Sequence, residues 1–314
     1  MRRFLDPKND LAFKKIFGSE KSGEILADFL NGVMELPEEK RIEVATIIDP
    51  YQIPAKVLTD KLSIVDVKCK DAEGRIYIVE MQLLSKDAFL SRVVYNVSKS
   101  YAGQLKISVP YSTLKEVIGV AIVNFELFHE LPGQYLSCHR LVEEKTKQNL
   151  MKQIRFHFLE IPKFHKKLEE LESNVDKWIY FLKHAENMEA IPRELEGNLM
   201  EQAFQIAERA KMTDEEESRY EALETDYRDR LSEMELSKKE GIEEGMEKGM
   251  KKGREEGIEE GMEKGMKKGR KEGLEEGIEK GVKKTARKML ENEMEISMIA
   301  RITGLSVEEI EEMA

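Results

Sequence analysis

The run Tyr77-Ile78-Val79-Glu80-Met81-Gln82 puts a carboxylate and a carboxamide two residues apart in a segment otherwise suited to a buried strand. Side chains alternate faces along a strand, so Ile76, Ile78, Glu80 and Gln82 share one face, and Tyr77, Val79, Met81 and Leu83 the other. In the run before it, Ile64, Asp66 and Lys68 share one face, and Val65, Val67 and Cys69 the other. Between the two runs lies "DAEG", a tight-turn sequence ending in glycine. Counting outward from that turn sets Lys70 opposite Ile76 and Asp66 opposite Glu80. Asp66, Glu80 and Gln82 then gather on one face, with Lys68 beside them. Two half-buried carboxylates repel each other and are costly to desolvate, and a divalent cation removes both problems. Paired carboxylates with water completing the shell suit Mg2+ or Mn2+. Such a cation polarises a phosphoryl oxygen and acidifies a bound water, which is the chemistry of phosphodiester hydrolysis. Asp66 and Glu80 are therefore candidate metal ligands, and Gln82 is a candidate to orient the water. The same residues also fit strand carboxylates that pair with a basic neighbour or reach solvent at a sheet edge, and the spacing D…ExQ alone does not choose.

Other polar residues carry less. Asp10 is a further candidate to reach the metal site. Arg92 and Tyr95, one helical turn apart, fit phosphate contact, support of the site, or helix packing on a sheet equally well. The histidines at 129, 139, 157, 165 and 184 show no ligand spacing and read as structural or exposed. Trp178, with Tyr180 and Phe181, reads as core.

The elements around these residues follow from pattern. The segment "DPKNDLAFKKIFG" starts a helix, with Asp6 as cap, Pro7 in the first turn, and Phe13, Ile16 and Phe17 as its apolar stripe. The segment "GEILADFLNGV" continues in helical period, and residues 42–50 form a short extended segment. Strands over about 62–70 and 75–83 make the hairpin. A helix from about Lys86 to Lys106 follows, with Phe89, Val93, Val97 and Tyr101 on one face. The apolar run "VIGVAIVNFEL" (117–127) suits a central strand covered on both faces. The order helix, hairpin, helix, strand predicts an α/β fold with a mixed sheet. Residues 129–238 are charged and mostly helical, with one β-like run, "QIRFHFLEI" (153–161).

Net charge is −11, which argues against wholesale binding of polyanions. The first 128 residues balance acidic and basic side chains, so the acidic excess lies beyond them. No apolar h-region follows the basic start, and no run is long enough to span a bilayer. The two cysteines, Cys69 and Cys138, show no disulfide or metal spacing, so the expected setting is reduced and cytoplasmic.

From residue 240 a 16-residue unit recurs, "EGIEEGMEKGMKKGRE", and glycine falls at every fourth position from Gly241 to Gly281. Each glycine costs a helix roughly 1 kcal/mol relative to alanine, while Glu/Lys pairs such as Glu244–Lys248 support it. A row spaced by four advances about 40° per step and winds right-handedly. The favoured reading is a long helix that packs on a partner through its glycine stripe, and the alternative is a frayed, charged spacer. The end, "EISMIARITGLSVEEIEEMA", forms two short helices around "TGLS" that resemble a helix-turn-helix, with Ile299, Ala300 and Ile310 as core and DNA recognition as the lesser alternative. Its second helix presents Glu308, Glu309, Glu311 and Glu312, which suits self-association better than contact with phosphates.

Several blocks in order resemble the PD-(D/E)XK nuclease superfamily, and in particular its Rpn-type recombination-promoting nuclease / putative transposase family. They are "NDLAFKKIFG" (9–18), "DKLSIVDVKCKDAEGRIYIVEMQ" (60–82), "SRVVYNVSKSYAGQL" (91–105), "PYSTLKEVIGVAIVNFEL" (110–127), "IRFHFLEIPKF", "DKWIYFLK" (176–183) and the glycine-repeat tail ending in "IARITGLSVEEI". The resemblance spans nearly the whole chain. It implies a restriction-endonuclease-like α/β core, a mixed sheet flanked by helices, and Mg2+- or Mn2+-dependent cleavage of DNA. It places Asp66 and Glu80 as metal ligands, and Gln82 where the usual motif has lysine. Glutamine supplies no positive charge, so stabilisation must come from the metal or from another basic group, with Lys61, Lys68 and Arg92 as the candidates and Lys68 first. The implied domains are a nuclease-like domain (1–165), a helical extension (166–238), the repeat helix (239–287) and a C-terminal helical hairpin (288–314). Self-association through the tail would bring together two cores, as a double-strand break requires. A catalytically silent interaction protein, or a transposition accessory factor that binds DNA without cutting it, are the competing readings.

Overall fold

The computed structural model describes residues 2–50, 64–86, 88–105 and 110–313, so Lys61 lies outside the described residues. Two compact units emerge, Met1–Ser232 and Glu233–Ala314.

The first unit is built on the hairpin. Strands β2 (Val67–Lys70) and β3 (Ile76–Gln82) pair antiparallel, with Lys70 opposite Ile76 and Val67 opposite Val79, as the turn sequence predicts. Asp71 locks the turn. Its carboxylate accepts the Arg75 backbone N–H at 2.9 Å, Arg75 Nε at 2.6 Å and the Tyr77 hydroxyl at 2.8 Å. Gly74 takes φ +80°, a left-handed conformation that glycine adopts without penalty. Strand β1 (Thr46–Ile47) adds to β2 inside the extended segment expected at 42–50. On the other side, β4 (Val117–Val123) runs parallel to β3 and is buried along its whole length, which is why it is apolar throughout. Beyond it come β6 (Ile154–Glu160), parallel to β4, and β5 (Leu136–Arg140), antiparallel at the edge. The sheet order is β1-β2-β3-β4-β6-β5, a mixed sheet.

Helices cover both faces. On one lie α1 (Asp10–Phe17), α2 (Gly23–Val33), α4 (Asn174–His184) and α5 (Asn198–Ile206), whose buried Phe13, Phe17, Phe29, Trp178 and Phe204 share a core with Val67, Tyr77 and Val79. Trp178 is core, as expected, and its indole N–H donates to Asp28 at 2.8 Å. On the other face, α3 (Phe89–Ala102) crosses from β3 to β4, with Phe89, Val93 and Val97 inward. Gly119 in β4 allows that approach. A Cβ there would lie 2.8 Å from a Val97 methyl and 3.2 Å from the Phe156 ring.

Two local expectations are corrected. Asn9, not Asp6, caps α1: its side chain accepts the Leu11 N–H at 3.0 Å, and the helix begins at Asp10, so Pro7 precedes the helix instead of standing in its first turn. Asp6 instead folds its own short turn, accepting the Lys8 N–H at 3.0 Å.

Helix α6 (Asp214–Glu291) is continuous over 78 residues and begins 25 residues before the expected repeat helix. In the second unit, its end packs with α7 (Ile296–Thr303) and α8 (Val307–Glu311) around Ala286, Ile299 and Ile310. Gly304, at φ +76°, closes α7, and Ser306 caps α8. The repeat is helical rather than frayed, and a Cβ added at any glycine from Gly241 to Gly281 would meet nothing within 4 Å. Among the described residues, no helix is long and apolar enough to cross a membrane.

Candidate functional site

Asp66 and Glu80 approach each other at the carboxyl end of β3, where parallel strands commonly present their ligand sites. The hairpin register brings them together, but not by a shared sheet face. At Asp66 the chain bends just before β2, and the ladder ends at Val67 opposite Val79. Asp66 Oδ2 takes a ladder partner's place and accepts the Met81 backbone N–H at 2.8 Å. Alternation is therefore broken. Val65 packs with Ile78 and Val97 on the α3 face, whereas Val67 and Cys69 join the opposite core. The strict period-two count across residues 64–70 holds only from Val67 onward, because a side chain replaces a backbone acceptor at the bend.

Each carboxylate then meets a different helix. Asp66 Oδ1 stands 3.8 Å from the ammonium of Lys14 on α1, which also pairs with Asp10 at 2.6 Å across one helical turn. Glu80 is buried and accepts from Asn96 Nδ2 on α3 at 2.6 Å, with Arg92 Nε at 4.0 Å. Arg92 also donates to Gln82 Oε1, and Gln82 Nε2 donates to the Leu84 carbonyl at 2.9 Å. Gln82 is thereby oriented at both ends of its amide.

Burial dominates the electrostatics of both acids. Burial pushes Asp66 up to about 6; the Met81 N–H and Lys14 pull it back, while Asp10 and Glu80 push it further. Burial likewise raises Glu80 against the opposing pull of Asn96 and Arg92. Both acids resist ionising in the folded chain. Two such carboxylates offer the hard oxygen donors that Mg2+ accepts, along with water and phosphate oxygens. Among the described residues, no group of three or more His, Cys, Asp or Glu side chains converges as a closed cage. The donor set fits an open divalent-cation site.

Sequence reasoning missed Lys14 and Asn96. The signal for Lys14 was present in its i,i+4 spacing from Asp10, and that for Asn96 in its i,i+4 spacing from Arg92. Tyr95 is 45% exposed and turns away, its ring 5.5 Å from the Lys99 ammonium. Lys68 is half-buried in β2; burial lowers its pKa, and Asp49 is the charge that acts on it. The histidines lie away from the site. His157 is buried in β6, and His129 is exposed beyond β4. Next to the site, a cleft of about 180 Å3 is lined by Asp10 and Gln82, by Lys8 and Lys86, and by Tyr227 and Arg230 from α6. The start of α6 thus belongs to the surroundings of the site, which the sequence did not reveal.

A mixed sheet sandwiched by helices, with two acids at the end of a hairpin strand followed by a polar residue, defines a nuclease-like α/β protein of the restriction-endonuclease type. Residues 7–237 match the model of the PD-(D/E)XK nuclease family transposase, and the chain belongs to that family. Residues 274–314 match the C-terminal HTH domain of the Rpn/YhgA-like nuclease family. No curated protein and no solved structure matches.

Proposed function

We propose that this transposase-type nuclease is a Mg2+- or Mn2+-dependent DNA endonuclease, with Asp66 and Glu80 as metal ligands. The observation that carries the reading is the Asp66–Glu80 pair, two carboxyls raised by burial and held by separate helices at one strand end. A divalent cation held by Asp66 and Glu80 would supply Lewis acidity toward the phosphate and acidify an attacking water. The chain's own groups do the rest. Asn96 and Arg92 aim Glu80, and the Met81 N–H aims Asp66. Gln82, fixed by Arg92 and the Leu84 carbonyl, orients the water by hydrogen bonding. Lys68 adds positive potential from the adjoining strand. The cleft bearing Lys8, Lys86 and Arg230 is the proposed path of the DNA backbone.

The acidic α8 is poorly suited to phosphate, so DNA is assigned to the first unit, and the second unit to self-association. Along α6 the exposed Ile242, Met246, Ile258 and Met262 sit beside the glycine row, and a second copy would cover both. The setting is proposed to be cytoplasmic and reducing, in keeping with free thiols at Cys69 and Cys138.

The test is incubation with covalently closed plasmid, with and without Mg2+. Nicking that requires the metal and is stopped by chelation supports the reading. An intact plasmid, or cleavage indifferent to chelator, sinks it.

A further inference from the structure

We propose that Lys14, on the first helix, is the catalytic cation that contacts the phosphate undergoing cleavage, the charge that Gln82 cannot supply. The inference rests on the nuclease reading above.

Hydrolysis of a phosphodiester concentrates negative charge on the non-bridging oxygens, and preorganised positive groups facing those oxygens lower the barrier. Two further carboxylates, Asp10 and Glu80, act on the charge of Asp66. Among the described residues, Lys14 pairs with Asp10 and Asp66, and Arg92 with Glu80. The guanidinium of Arg92 is committed. It donates to Gln82, stands 4.0 Å from Glu80 and lies 5.3 Å over the Phe89 ring, so moving it would release both site residues. Arg92 is a positioning residue.

Lys14 differs. Its side chain is 40% exposed, and its ammonium is a compact charge on a flexible four-carbon stem. The tight contact is with Asp10 at 2.6 Å; the one with Asp66 is loose, at 3.8 Å. Once Asp66 is neutralised by another cation, that loose contact loses its pull. The ammonium can then swing to a phosphate oxygen while Asp10 keeps it tethered. No proton or bond is exchanged by Lys14 in this step. The other lysine of α1 is held elsewhere: Lys15 pairs with Glu216 at 2.7 Å. Helix α1 therefore points one lysine at the site and fastens the other away from it.

The experiment compares the full chain with Lys14→Gln and Lys14→Arg. Plasmid nicking, Mn2+ binding without DNA (paramagnetic resonance of the free ion) and melting temperature are read in parallel. Loss of one preorganised charge should slow Lys14→Gln by about 100-fold or more. Mn2+ affinity should be unchanged or tighter, because a competing charge leaves Asp66. Lys14→Arg should recover about tenfold of the lost rate, since it restores the charge. Nicking by Lys14→Gln within about threefold of wild type overturns the proposal. So does a parallel loss of Mn2+ binding and melting temperature, which would make Lys14 a structural brace. Wild-type protein that nicks nothing defeats the nuclease reading along with this one; wild-type nicking beside undiminished Lys14→Gln defeats this one alone.

Discussion

Asp66 carries the sharpest consequence at the level of single residues. Its carboxyl is raised to about 6, so the folded protein holds that proton more tightly than the unfolded chain, whose value is near 4. Stability is therefore lost as pH rises from about 4 through about 6, by up to about 3 kcal/mol, and stays lower above. Glu80 shifts in the same direction and adds to the trend. A cation that needs ionised acids must compete with this proton. Scanning fluorimetry should thus show Mn2+ raising the melting temperature more at pH 7.5 than at pH 5.5, and equal shifts at both would contradict the site. Asn96→Ala should leave a buried carboxylate without its donor at 2.6 Å, and urea titration should show a loss of about 1–3 kcal/mol. At this scale Asp66, Glu80 and Gln82 were legible, because turn chemistry fixes the register that brings them together. Lys14 was not, because it arrives from a helix fifty-two positions upstream of Asp66. Strand alternation also carried no warning that a side chain would replace a backbone acceptor and bend the chain at Asp66.

Among the elements, α3 decides whether Glu80 and Gln82 are aimed, since it carries both Arg92 and Asn96. Its seat is Gly119. Gly119→Ala puts a methyl 2.8 Å from Val97 and should push α3 away from β4, costing about 1–3 kcal/mol. Activity should fall further than stability alone explains when measured well below the melting temperature. Full activity in a stable variant would show that the placement of α3 is not critical. The fully buried β4 and the hairpin were readable because apolar runs and turn residues state their environment directly. Strand β5 was not, because its residues Ser137, His139 and Arg140 are those of a polar edge. The early start of α6 escaped for a related reason: residues 214–238 are mostly charged, and only Tyr220 is buried there.

For the whole molecule, the glycine ladder sets two costs against each other. On a lone helix each exposed Gly→Ala substitution should gain about 1 kcal/mol of helix stability. Against a close-packed second copy the same methyls would intrude. Light scattering on Gly249→Ala/Gly253→Ala/Gly257→Ala, and on a chain ended after Leu236, should show fewer copies per particle than the full chain. An unchanged copy number with higher helicity would mean that the stripe faces solvent. The period of four revealed the helix, but a single chain shows only what the glycines leave open, not what covers them. The proposed reaction is tested most directly by nicking of supercoiled plasmid in Mg2+ or Mn2+ by wild type, Asp66→Ala and Glu80→Ala, prepared alike and checked for folding. The structure predicts metal-dependent nicking by wild type and a drop of at least about 100-fold in both variants. Equal nicking by all three, or none by any, would contradict it.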